Sequence, residues 1–293
     1  MTVKFTGKIT DKILVLVRYT LLIFSGTIMY CHYGPSGSLS GYDVNSREVK
    51  QLKLAKELSE ISGLAYAGEK FVFTHNDEEG IVFKVSIETG EIIKHFNVGN
   101  EKLKKDFEGI AVVGDSIFLT TSDGILYGFK EVENNRNAEY QKYITGLSAE
   151  NNIEGLCYDE KTNSLLLACK FSAGKNLKGY KAVYSFDLNK YKLDSMPRFL
   201  INLDSLKINY NIKDFSPTGI EVHPDNGNFF ILSAINESII ELTKDGRLLN
   251  AIKLDSKDHK QPEGITFVSD QSLILSDEGK GKKGKITIVP FQK

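Results

Sequence analysis

Several features are scarce in this sequence, and each scarcity excludes something. Among 293 residues there are three cysteines, Cys31, Cys157 and Cys169, too few for a scaffold held by disulfides. Neither sign of charge dominates: 37 Lys and Arg stand against 38 Asp and Glu, a formal net charge of −1. No bulk field draws a polyanion, so nucleic acid is not expected as a partner. Long helical periodicity is missing, which argues against α/β architectures. No Gly-x-Ser-x-Gly, His-Glu-x-x-His or P-loop motif occurs, so the common local signatures of nucleophilic, zinc and phosphate chemistry are absent. What remains, 41% apolar and 26% charged residues, is a globular composition with ample core.

One long apolar run exists. Lys4, Lys8 and Lys12 precede Ile13–Tyr30, broken chiefly by Arg18. A membrane-spanning helix needs about 20 such residues. If Arg18 belongs to the basic flank, the run shrinks to Tyr19–Tyr30, the size of a signal-peptide core. Cys31 follows, then a linker of small residues from Gly34 to Gly41. Two readings stay open. Cys31 is the acylated residue of a lipoprotein, although Ile28-Met29-Tyr30 lacks the small residues expected before such a cut, or the segment is an uncleaved anchor. Either way, residues 1–38 read as a signal or anchor segment with its linker, and residues 39–293 as a domain held at the cell membrane, in the periplasm or outside.

The rest of the chain repeats. Ser62-Gly63-Leu64, Glu108-Gly109-Ile110, Glu154-Gly155-Leu156, Thr218-Gly219-Ile220 and Glu263-Gly264-Ile265 share one pattern, with glycines 46, 46, 64 and 45 residues apart. After each glycine come a short apolar strand, a second such as Phe71–Thr74 or Leu273–Ser276, a third, and in most units a fourth. The strands are β-branched and aromatic and are bounded by Gly, Asn and Asp. Four short antiparallel strands per unit of about 45 residues describe a propeller blade. The fifth unit ends after three strands, and Tyr42–Leu54 supplies the missing outer strand, closing the ring without a free edge. The expectation is an all-β, five-bladed β-propeller behind an N-terminal membrane segment. The additional 18 residues of the longest spacing are too few for a sixth blade.

In a propeller the first strand of each blade lines the central channel. Glu108, Glu154 and Glu263, at the start of that strand, are therefore expected around one mouth, with glycine allowing a tight, possibly positive-φ approach. The ends of the second strands return to the same face, bringing His75-Asn76-Asp77, Ser122-Asp123, Lys170, Asn236-Glu237 and Asp277-Glu278. Carboxylates about 5 Å apart repel by roughly 3 kcal/mol per pair at an effective dielectric of 20. They persist if protonated, paired with a base, or bound to a cation. Oxygen donors without Cys or His point to Ca²⁺; alternatively each Glu caps a turn, or Lys170 is the counter-charge.

This order of Ser-Gly and Glu-Gly steps resembles the bacterial SdiA-regulated, YjiK-like propeller family. Supporting pieces are Thr74-His75-Asn76-Asp77, Asp106-Phe107-Glu108-Gly109-Ile110, Leu167-Ala168-Cys169-Lys170, Ser216-Pro217-Thr218-Gly219 and Gln261-Pro262-Glu263-Gly264-Ile265. The likeness spans roughly residues 42–291. It implies a five-bladed propeller behind a membrane segment, with a Ca²⁺ site whose ligands are Glu108, Glu154 and Glu263, and a distant relation to NHL-like binding platforms. Thr218 stands where Ser is usual, and the basic loop Lys280–Lys285 departs from the pattern.

Two functions follow. The first is a membrane-tethered, Ca²⁺-binding recognition module that meets a ligand or protein at the channel mouth. The second is a Ca²⁺-dependent hydrolase of the lactonase or phytase kind, with His75 as general base; the competing reading of His75 is an ordinary loop histidine. No catalytic residue is assigned. Cys157 is expected to face about Leu166, leaving both it and Cys169 unbridged, and the Lys280–Lys285 loop reads as a solvated hairpin tip.

Overall fold

A computed structural model describes residues 38–100 and 103–292. The expected membrane segment, Cys31 included, lies outside the described residues. Among those described, no helix is long and apolar enough to cross a membrane.

Each repeat is one antiparallel sheet, to which, in blade 1, the short strand Asn137–Ala138 adds in parallel beside Ile92–Val98. Blade 1 comprises Ile61–Tyr66, Phe71–Asn76, Ile81–Ser86 and Ile92–Val98, and blade 2 comprises Phe107–Val113, Ser116–Thr121, Ile125–Lys130 and Tyr140–Ile144. Blade 3 runs Ile153–Asp159, Ser164–Cys169 and Tyr180–Asp187, with two short outer strands, Lys192–Leu193 and Phe199–Asn202. Blade 4 is Pro217–Val222, Phe229–Ser233, Ser238–Leu242 and Leu248–Lys253. Blade 5 takes Pro262–Phe267, Leu273–Asp277 and Lys285–Val289 from the C-terminal end, and its outer strand is Lys50–Lys53, antiparallel to Lys285–Val289. That strand lies inside the Tyr42–Leu54 stretch, and Tyr42 makes a further bridge to Phe291. The longer third spacing holds the outer strands of blade 3 and helix α1 (Leu203–Tyr210), capped by the Asn202 side chain and ended by Asn211 at positive φ.

The five repeat glycines have ordinary φ values, not the positive φ that a tight turn would require. Their role is close approach of backbones. A Cβ on Gly109 would lie 2.7 Å from Leu156 Cβ and 2.8 Å from its backbone nitrogen; on Gly219, 2.8 Å from the Glu263 carbonyl; on Gly264, 2.8 Å from the Ser62 carbonyl. Each glycine faces the inner strand of the next blade, and the last faces the first. Hydroxyls join the same seams: Ser62 donates to the Glu108 carbonyl at 3.0 Å, Thr218 to the Pro262 carbonyl at 2.8 Å, and Ser276 to the Ser62 carbonyl at 3.0 Å.

Outside this ring, apolar side chains fill the seams between blades in five clusters. The seam between blades 4 and 5 includes Leu39, Tyr42 and Val44 from the N-terminal stretch. Here Glu241, fully buried, accepts from Ser38 N at 2.9 Å, Ser38 Oγ at 3.0 Å, Leu39 N at 2.8 Å and Asn228 Nδ2 at 2.7 Å. A carboxylate with this many donors is satisfied without a cation, so Glu241 fixes the point where the chain joins the ring. Cys157 pairs with Leu166 across blade 3, and both Cys157 and Cys169 are free and buried.

Substituting Gly109→Ala is expected to cost about 3 kcal/mol, the upper part of the range for overpacking against rigid neighbours. Gly68→Ala, at φ +84° in open space, should cost only about 1 kcal/mol of left-handed strain. Urea denaturation of both variants checks the ranking; equal losses would mean that backbone approach is not what fixes glycine in the ring.

Candidate functional site

A register shift falls at the repeat step of every inner strand: between Ile61 and Leu64, Phe107 and Gly109, Ile153 and Gly155, Pro217 and Gly219, and Pro262 and Gly264. A bulge leaves one residue out of the ladder and re-aims its side chain. In blades 2, 3 and 5 that residue is glutamate. Glu108, Glu154 and Glu263 consequently line one pocket of about 170 Å³ at the channel mouth, together with Lys170, Asp77, Glu60, Glu278, Gln261 and Ser62. Six carboxyl groups thus share a small space with a single lysine.

Lys170 is committed. Its Nζ donates to Glu154 Oε1 at 2.8 Å, and Asn152 Nδ2 donates to the same oxygen at 2.8 Å. Glu154 is 4% exposed; burial raises its carboxyl pKa, and Lys170 and Asn152 work against that rise. Glu108 has no such partner. Burial, then the fields of Glu154, Asp106 and Glu263, push it up to about 10. Glu263 is pushed up to about 8 by burial and by Glu154. Asp77 is raised as well, by burial first and then by Glu60, and its Oδ1 is buried without a hydrogen-bond partner. At neutral pH the mouth therefore holds one ion pair, Glu154 with Lys170, beside a protonated Glu108 and a largely protonated Glu263.

The donor set suits a hard cation in kind: carboxylate oxygens, with no thiolate or imidazole on the wall. Its arrangement is not that of a closed cage. Among the described residues, no group of three His, Cys, Asp or Glu side chains stands ready to hold a metal ion.

Other residues of this face go elsewhere. His75 is fully buried and absent from the pocket wall; its Nδ1 meets the Asn76 carbonyl at 2.9 Å and burial lowers it to about 4, so it is neutral and closed to the mouth. That agrees with the reading of His75 as a histidine bonded to its neighbouring chain and not with that of a general base open to the mouth. Asp123 bonds locally to Thr121, and Asn236 to the Asp214 carbonyl. Sequence reasoning missed Glu60, and it quoted Asp106 and Gln261 only as parts of the family pattern without assigning either to the site. It also missed His259, whose Nδ1 lies 2.8 Å from buried Asp277 Oδ2.

Comparison with known proteins bears out the resemblance read from the sequence. The family model described as SdiA-regulated matches residues 191–291. No curated protein matches the chain. Among solved structures, glutaminyl cyclase of Myxococcus xanthus is similar at 13% identity and a TM-score of 0.54, covering 82% of this chain and 93% of that one. A luciferin-regenerating enzyme is similar at 10% identity and a TM-score of 0.52, covering 83% and 95%. At such identities the likeness is one of fold alone.

A carboxyl raised in the folded state binds more protons folded than unfolded. Its stabilising effect is complete below about 4.5, the ordinary glutamate value, and is lost as pH climbs towards the folded value. With Glu108 near 10 and Glu263 near 8, the melting temperature should fall between pH 6 and pH 9 in the absence of divalent cations. Glu108→Gln should flatten that fall and melt higher than the parent at pH 9. Thermal denaturation across the range checks both; an unchanged slope in Glu108→Gln would show that its carboxyl is not under this strain.

Proposed function

We propose that this propeller, with its SdiA-regulated stretch, is a membrane-tethered recognition module that binds Ca²⁺ in the acidic mouth of its channel through Glu108, Glu154 and Glu263, and presents that face to a ligand or protein outside the cytoplasmic membrane. The observation that carries the reading is the crowding of six carboxyl groups and one lysine around about 170 Å³. Such a cluster stores repulsion that only protons, Lys170 or an added cation relieve.

Binding then has a definite cost and direction. Glu108 and Glu263 must release protons before their oxygens can serve as ligands, so affinity rises with pH. Lys170 must leave the Glu154 oxygen it now occupies. Asp77, with one unpartnered oxygen, stands on the same wall and is available as a further donor. The bound cation would supply the charge neutralisation that the mouth lacks. The hydrolytic alternative takes His75 as its base, and the buried position of His75 gives that assignment no support. The tether rests on the apolar run Ile13–Tyr30 and its basic flank.

Ca²⁺ should stabilise the protein by about 2.7 kcal/mol at a hundredfold excess over its dissociation constant, with proton release measurable by calorimetry in buffers of different ionisation enthalpy. Joint replacement of Glu108, Glu154 and Glu263 by Gln should remove the shift, and Lys170→Met should tighten binding. A Ca²⁺ shift that survives the triple replacement would overturn the ligand assignment. For the tether, the full chain should sediment with membranes and a chain starting at residue 38 should stay in the supernatant; identical partitioning would remove the anchor from the proposal.

A further inference from the structure

The inner strands that place glutamates at one mouth continue to the other end of the channel. Two residues beyond each repeat glycine the chain carries Ala65, Ala111, Cys157, Glu221 and Thr266. These five residues, with the positions that follow them, line a separate cavity of about 280 Å³. Its chemistry is unlike that of the acidic mouth. Two alanines leave space, the rings of Tyr66, Tyr158 and Phe267 form walls, and Glu221 is the one charged side chain lining it. The hydroxyls of Tyr66 and Tyr158 bond outside, to the Glu69 carbonyl at 3.2 Å and to Asn163 Oδ1 at 3.0 Å, so the tyrosine walls offer rings.

Glu221 has only neutral partners. Its Oε1 accepts from Val222 N at 2.9 Å and its Oε2 from Thr266 Oγ1 at 3.1 Å. Both are neutral donors, each carboxylate oxygen keeps a free acceptor position, and no Lys, Arg or His lines the cavity. Contrast Glu241, whose carboxylate is filled by four donors and serves the fold. A lone carboxylate among aromatic rings matches an ammonium group on an apolar body, which gains an ion pair, ring contacts and apolar burial together.

We propose that the far end of the channel is a second binding site, for a small organic amine whose ammonium pairs with Glu221 and whose apolar part lies against Tyr66, Tyr158 and Phe267. The site is independent of the cation reading at the opposite mouth. The titratable group that feels Glu221 is Cys157, on the inner strand of blade 3, while Tyr66 and Tyr158 line the same cavity with their hydroxyls bonded elsewhere. Asp159, which also acts on Cys157, is engaged by Lys161 N and Thr162 Oγ1. Burial pushes the Glu221 carboxyl up to about 7, so an ammonium must displace a proton at lower pH.

Benzylamine and its uncharged isostere benzyl alcohol, titrated into the full chain and followed by amide chemical shifts, test the site. Benzylamine should bind more tightly than the alcohol, and about tenfold more tightly at pH 8 than at pH 6, as follows from a carboxyl half-ionised near 7. Glu221→Gln should abolish the preference for the amine, while Glu108→Gln leaves it intact. Equal binding of amine and alcohol, no binding of the amine, or a preference lost in Glu108→Gln and kept in Glu221→Gln would overturn the assignment. Should Glu221→Gln fail to fold, the comparison of the two probes across pH in the parent decides alone. The Ca²⁺ shift reads the other mouth, so the two proposals fail separately.

Discussion

Five backbone contacts, glycine against the inner strand of the next blade, set the dimensions of everything else in this molecule. Because no side chain separates them, the inner strands converge closely enough for hydroxyls of one blade to reach carbonyls of the next. The same narrowness leaves room for only small cavities at the two ends of the channel. A channel lined by alanine at these positions would be wider by roughly the methyl groups added, and the apolar seams outside it would have to part. Close packing transmits such strain instead of absorbing it.

The bulge at the same step turns a packing constraint into an electrostatic one. Removed from the ladder, the residue before the glycine has only the channel to face. Where it is Ser62 or Thr218 it stitches blades together; where it is Glu108, Glu154 or Glu263 it delivers a carboxyl into a space with little water. Desolvation and mutual repulsion act in the same direction there, so two of the three glutamates are raised into or above the neutral range and the third keeps its charge through Lys170. The mouth is a stressed arrangement retained by a fold that gains its stability in the seams.

Much of the fold was legible because repetition amplifies weak signals: one polar-Gly step says little, whereas five, three of their four spacings within one residue of each other, identify inner strands and blade number together. Helix α1 was not legible. It is eight residues long, its apolar face is only Leu203, Leu206 and Tyr210, and the exposed Ile208 blurs even that short pattern. Of the site, the glutamates were readable because they occupy a repeated position, and Lys170 because the second strand must return to the same face. Glu60 belongs to a connection between blades, where periodicity gives no guidance, and Gln261 was visible only as a flank of the Glu263 step. Glu241 was invisible for a different reason: its backbone partners lie about two hundred residues away, at the point where the N-terminal stretch joins the ring.

The two ends of the channel differ although the same five strands build both. One position before the glycine, three residues are acidic and two are hydroxyl-bearing; two positions after it, one is acidic and the others are alanine, cysteine and threonine. The glycine demands the closest approach of the blades, and the side chains at the other two positions add hydrogen bonds across the seams only where they are Ser62, Thr218, Glu221 or Thr266. The steric constraint thus falls on one residue per blade, and the residues on either side of it vary in chemistry from blade to blade. A fold organised this way can carry a charged opening and an apolar one without conflict, because burial that raises a carboxyl at one end is independent of burial that creates an apolar wall at the other. Glu221 is the exception that carries a carboxyl into the apolar end, where it also accepts a hydrogen bond from Thr266 of the next blade. Its two neutral donors do not compensate its charge, which is why it is better understood as one half of an interaction than as part of the scaffold.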